Sequence, residues 1–197
     1  MVTVPSSLLR FFEKEEFADQ FVTGAIRFSI LEYYRGIEDL RRDDTEGQSS
    51  VYFRAPQPIH STVSSLNRYY AFCTSHPETN ITSLAQKYGR FVVRIDSPLV
   101  LLERVKIVWR SHDLALDSAF IAPVEYTKDE LRDADPYLLS PPHLTYSQKL
   151  KSYEEDREYR FLLKCKVDAQ RTWENHLTLT LPNCRDICSA VTVCAED

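Results

Sequence analysis

The sequence predicts an α+β domain of two packed, mainly antiparallel sheets with short helices, built by the whole chain, 1–197. Three observations lead there. Apolar and β-branched residues recur in many short runs with strand-like alternation. Helical spacing is confined to brief stretches between them, mainly in the first half. No regular strand–helix–strand alternation of the kind that builds a parallel sheet runs through the chain. With 197 residues, 43% of them hydrophobic, the chain can bury roughly 70% of the surface its unfolded form exposes, so one core suffices without disulfides or metal.

Taken in order, residues 8–12 (Leu8, Leu9, Arg10, Phe11, Phe12) read as a short strand. Residues 13–22 then place Phe17, Phe21 and Val22 at amphipathic helical spacing, and Gly24 ends that helix. In 25–31, Ile26, Phe28 and Ile30 alternate with Arg27 and Ser29, a strand pattern. Further strands are expected at 51–54, 69–74, 90–95, 105–109 and 121–126, where β-branched and aromatic residues concentrate. Between two of these, 82–88 is a short helix stopped by Gly89. Pro136, Pro141 and Pro142 interrupt any continuous element, so 128–144 is expected to be a surface excursion carrying a short helix. The charged stretch 146–156 is helix-permissive. Strands at 158–167 and 176–181 follow, with 187–193 a last strand or buried helix.

Composition excludes several function classes. The four glycines, Gly24, Gly36, Gly47 and Gly89, are too far apart for a phosphate-cradling loop or a dinucleotide-binding turn. A formal charge of −5 argues against broad attraction to nucleic-acid phosphates, although Arg104, Lys106 and Arg110 leave room for a local basic groove. No apolar run approaches the length of a membrane span, and the first residues lack a basic and apolar leader, so a cytoplasmic protein with no membrane partner is expected. Five cysteines form no pairing framework, and reduced thiols are the simpler reading. The spacing of Cys184, Cys188 and Cys194 suits packing better than a zinc knuckle. The histidines are scattered without a metal-ligand pattern, so no metal is expected.

Polar groups inside or beside apolar strands are the candidates for chemistry, because an unpaired buried charge is costly. Arg10 interrupts an apolar strand. It either faces outward or pairs with a carboxylate, or it holds a planar guanidinium fork ready for phosphate. Phe72, Cys73, Thr74 and Ser75 end another strand on hydroxyls, which is either ordinary strand termination or a set of hydrogen-bonding groups for a ligand. Asp156, Glu158 and Arg160 fall on one face under period-two geometry, giving two carboxylates beside an arginine. Residues 35–47 are dense in both charge signs. They form either a solvated loop, a cover over a nucleotide site, or an oxygen-ligand set (Asp39, Asp43, Asp44, Glu46) for a divalent ion, as a metal-dependent nuclease would need.

The order of these pieces resembles the Arg…Ser-Thr-Ser…Glu-x-Glu pattern of the ADP-ribosyltransferases. Leu9 to Phe12, Pro123 to Tyr126 and the stretch 151–161 also look like an uncharacterised bacterial family associated with mobile elements and antiphage defence. The resemblance implies an ADP-ribosyltransferase-like fold gripping NAD as substrate. It sets the first-strand arginine on Arg10, the serine motif on Cys73, Thr74 and Ser75, the catalytic glutamate on Glu158, and Asp156 in place of the upstream glutamate. Cys73 and Asp156 depart from the pattern.

On that reading Glu158 stabilises the positive charge that develops on the ribose as nicotinamide leaves. Ser75 orients Glu158, Arg10 and Thr74 hold NAD, and Tyr33, Tyr34, Tyr69 or Tyr70 stack on nicotinamide. The implied role is an intracellular toxin or antiphage effector acting on a protein or nucleic-acid acceptor, with an antitoxin or defence-system subunit as a further partner. The competing expectation is a non-catalytic binding module of a defence or toxin–antitoxin complex. Its contact surface would be the 33–47 loop. Glu158→Gln, which removes charge and keeps shape, is expected to stop NAD turnover and leave the fold intact.

Overall fold

A computed structural model describes residues 3–35, 48–53, 59–64, 68–111, 116–126, 144–165 and 174–193. In chain order these form β1 (Leu8–Phe12), α1 (Glu15–Val22), β2 (Ala25–Ile30), β3 (Gln48–Phe53), β4 (Ile59–Ser64) and β5 (Arg68–Ser75). Next come α2 (Ile81–Tyr88), β6 (Phe91–Ile95), α3 (Pro98–Trp109), β7 (Leu116–Pro123) and β8 (Glu125–Tyr126). The chain continues through α4 (Leu144–Ser147), β9 (Gln148–Lys149), β10 (Glu158–Cys165), β11 (His176–Thr180) and β12 (Cys188–Val191). Two 3-10 segments, Leu31–Arg35 and Lys151–Asp156, join elements at the site.

The architecture is α+β, with one large antiparallel sheet and a few short helices. Two packed sheets are expected from the sequence; instead, eight strands form a single forked sheet, and β3–β4 and β8–β9 are separate two-stranded pairs. The fork is at β5. One edge of β5 pairs with β10 along its whole length, from Arg68↔Cys165 to Ser75↔Glu158. The other edge is shared: β2 pairs at Tyr70 and Ala71, and β1 pairs at Ser75. The strands therefore diverge around Phe72, Cys73 and Thr74. The β2 arm continues to β11, the β1 arm continues to β6 and β12, and β7 flanks β10.

Strand alternation gives the sheet two different faces. On one, Ile26, Phe28, Tyr70, Phe72, Val93, Ile95, Phe161 and Leu163 form the main core with Phe21 of α1 and Leu101, Leu102, Val105 and Trp109 of α3. Phe72 and Phe161 are register partners and stack at 4.3 Å. On the other face a smaller cluster of Leu31, Tyr69, Ala71 and Leu162 gives way, toward the Ser75 end, to Cys73, Ser75, Glu158 and Arg160.

The strand expected at 105–109 is the end of α3, a helix. Val105, Ile107 and Val108 carry strand propensity, but Leu101, Leu102, Val105 and Trp109 are buried at helical spacing, and Pro98 sits in the first turn where it costs no hydrogen bond. Helix α2 is legible in its caps. The Asn80 side chain accepts from the Ser83 N–H at 3.0 Å, and Gly89 closes the helix at φ +121°. A Cβ at Gly89 would lie 2.2 Å from the Phe12 backbone, so glycine is what lets α2 end against β1.

Candidate active site

Glu158, Ser75, Asp156 and Arg10 line one cavity of about 150 Å³, together with Phe11, Tyr34, Cys73, Thr74, Tyr88 and Lys149. A second chamber of about 520 Å³ adjoins it; Arg10, Phe11, Tyr34 and Tyr88 are walls of both. The wider chamber adds Phe12, Phe17, Arg27, Ser29, Tyr33 and Thr178. Both lie where the sheet forks, with residues of the diverging β1 and β2 among their walls.

Arg10 shares a face with Leu8 and Phe12, yet its guanidinium does not leave the sheet. It sits 5.1 Å from the Phe72 ring and 5.5 Å from the Phe12 ring, and donates to the Cys73 carbonyl at the fork.

Glu158 opens β10 and is 4% exposed. Three backbone bonds fix it: its N–H donates to the Tyr126 hydroxyl at 2.7 Å, its carbonyl accepts from Val124 at 2.9 Å, and the preceding carbonyl of Arg157 accepts from His76 at 3.0 Å. Arg157 holds φ 40° and is the one non-glycine residue with positive φ among the described residues. That left-handed step swings the chain from the 3-10 segment into β10.

The Glu158 carboxylate is clamped. Arg160 Nε donates to Oε1 at 2.6 Å, and Lys149 Nζ lies 2.7 Å from Oε2. Burial works to raise this carboxyl, but the charges of Arg160 and Lys149 and a hydrogen bond from the Cys73 thiol overcome it, so it stays well below the usual carboxylate range. The thiol responds in the opposite sense. Burial, then the neighbouring Glu158 charge, push Cys73 up to about 12, so it is a neutral donor.

Asp156 ends the 3-10 segment, so it is not the strand residue that period-two geometry predicts; the left-handed turn at Arg157 nonetheless delivers it to the same cavity. Lys87 Nζ binds its Oδ1 at 2.8 Å and the Tyr88 hydroxyl donates to its Oδ2 at 2.5 Å. Burial, then the Asp156 charge, hold the Tyr88 hydroxyl protonated by raising its pKa.

Other expectations fare variously. Ser75 stands directly across from Glu158, but the side chains that grip the carboxylate are Arg160, Lys149 and Cys73. Thr74 borders the cavity while its hydroxyl donates to the Tyr159 carbonyl at 2.8 Å, on the opposite face of β5. Tyr34 reaches both chambers, and burial raises its hydroxyl's pKa. Tyr33 lines the wider chamber and packs against His176 at 4.2 Å. Tyr70 is not at the site: it is buried behind the sheet against Trp109, and its hydroxyl donates to the Glu174 carbonyl at 2.9 Å. Tyr69 packs on Tyr146 at 4.5 Å, away from the cavity. Most of the 35–47 loop, including Asp39, Asp43, Asp44 and Glu46, lies outside the described residues, as does Cys194.

The residues that sequence reasoning missed are Lys149, Tyr88, Lys87 and Tyr126. Lys149 sits in a charged stretch whose burial is created by the pairing of β9 with β8, for which the local sequence holds no signal.

No family model, curated protein or solved structure matches this chain. Among the described residues no helix is long and apolar enough to cross a membrane.

Proposed function

We propose that this chain is an NAD-dependent ADP-ribosyltransferase with an ADP-ribosyltransferase-like arrangement of its forked sheet. It acts in the cytoplasm as a toxin or antiphage effector on a protein or nucleic-acid acceptor. The observation that carries the reading is the convergence of Arg10, Ser75, Asp156 and Glu158, 148 positions apart at the extremes, on one cavity. The wider chamber beyond Arg10 adds room for the rest of a dinucleotide, within the roughly 300–1,000 Å³ typical of small-molecule sites.

The chemistry follows from the charges. Cleavage of the nicotinamide–ribose bond sends the bonding pair to the pyridinium nitrogen, which becomes neutral, and leaves positive charge on the ribose. A carboxylate that stays ionised and fixed in a buried site stabilises that charge without reorganising. The acceptor's nucleophile then bonds to the same carbon and loses its proton to solvent water. Arg10 offsets the pyrophosphate charge, and its bond to the Cys73 carbonyl is compatible with this because an uncharged acceptor leaves the guanidinium cationic.

Release of nicotinamide from NAD, followed by chromatography with and without a cell extract as acceptor source, tests the reading. The wild-type protein is expected to release it, and Glu158→Gln to do so at least about a hundredfold more slowly. Wild-type protein that leaves NAD intact under both conditions would sink the enzyme and leave the binding-module reading.

A further inference from the structure

We infer that Lys149 is the positioning residue of Glu158, holding its carboxylate aimed into the cavity from a strand pair that belongs to neither arm of the forked sheet. This rests on the ADP-ribosyl-transfer reading of the same cavity. Lys149 has a side chain only 9% exposed, lines the cavity, and places its ammonium 2.7 Å from Glu158 Oε2. Its backbone is set by the parallel pairing of β9 with β8, Tyr126↔Lys149. The same Tyr126 accepts the Glu158 N–H through its hydroxyl. One short pair of strands therefore fixes both the backbone of Glu158 and the cation facing its side chain. The Tyr153 ring, 5.1 Å from the ammonium, supports it from the 3-10 segment.

The clamp decides what kind of acid Glu158 is. A buried carboxyl without counter-charge takes up a proton and becomes a general acid; a carboxyl facing two cations stays an anion. Arg160 reaches it from the same strand and Lys149 from β9. Among the described residues, Cys73 on β5, Tyr126 on β8, Tyr88 on α2, Tyr34 after β2, Asp156 in the 3-10 segment and Arg10 on β1 are the further titratable and charged groups around it. Of the two cations that contact the carboxylate, Lys149 is the one that also walls the cavity.

The test compares Lys149→Met, Lys149→Gln and Lys149→Arg with the wild type, with folding checked by circular dichroism. Carbon-13 NMR of the Glu158 side-chain carboxyl, assigned through Glu158→Gln, follows its titration. Without the ammonium, the Glu158 carboxyl is expected to titrate about one pH unit or more above the wild type. NAD cleavage should then gain an acid limb, falling tenfold per pH unit below that point. Lys149→Arg restores the wild-type profile. The glutamine variant answers should the methionine variant not fold, and the arginine variant tests rescue in either case. A Glu158 titration identical in the wild type and the charge-removed variants overturns the inference. NAD left intact by the wild type sinks the enzyme reading instead, while the titration still decides whether Lys149 governs Glu158.

Discussion

The guanidinium of Arg10 donates to the main-chain carbonyl of Cys73, at the place where β1 and β2 part on the edge of β5. In an unbroken sheet that carbonyl would be paired by a neighbouring strand. Here a side chain does it, and the opening that the fork creates is the cavity facing Glu158. The bond that closes the fork thus sets the same guanidinium on the cavity wall.

Replacing Arg10 with lysine separates charge from shape. Lysine keeps the cation but loses the planar fork that lies over Phe72 and Phe12 while bonding sideways to Cys73. Loss of a charge-assisted hydrogen bond costs roughly 1.5–3 kcal/mol. Arg10→Lys should therefore lower the denaturation midpoint by that equivalent and, on the proposed ADP-ribosyl-transfer reading, weaken NAD binding by about tenfold or more in calorimetric titration. NAD affinity equal to wild type would remove Arg10 from the ligand's contacts.

The sequence made β1, β5, β6, β10 and α2 legible, because each carries its own alternation, cap or stop. Arg10, Ser75 and Glu158 stood out as polar groups attached to apolar strands, and all three reach the cavity. What it concealed was non-local. The fork depends on three strands competing for two edges of β5, which no window of the chain contains. Tyr70 and Tyr69 are neighbours in a strand, so alternation sends them to opposite faces, and neither face at that end is the cavity. Lys149 is one lysine in a charged run until β8 covers it.

Cys73 stands where a hydroxyl is expected, and its thiol is a donor to Glu158. With its pKa pushed up to about 12 by burial and then by the carboxylate, the thiol stays protonated at pH 7, and the thiolate is the reactive form. Iodoacetamide should label Cys73 at least about a hundredfold more slowly in the native protein than in urea at pH 8. Peptide mapping is needed, because Cys165, Cys184 and Cys188 are further cysteines, all buried. Fast native labelling of Cys73 would show a thiolate and contradict its role as a neutral donor to Glu158.

The ion pairs of Glu158 alter the expectation that Glu158→Gln spares the fold. Glutamine leaves Lys149 and Arg160 facing an uncharged amide in a buried site, and breaking such a pair costs about 3–5 kcal/mol. A carboxyl whose folded-state pKa is depressed contributes stability above its unfolded value, about 4.3, and loses it as pH falls through the folded value. Protonated Glu158 has nearly the shape and charge of glutamine. The melting temperatures of the wild type and Glu158→Gln should therefore differ most near neutrality and draw together below about pH 4. Exposed pairs such as Arg104–Asp186 are common to both proteins and cancel in the difference. A gap unchanged between pH 7 and the lowest pH at which both proteins fold would mean that the Glu158 charge contributes nothing to stability, and that the clamp seen around it is not energetically coupled to folding.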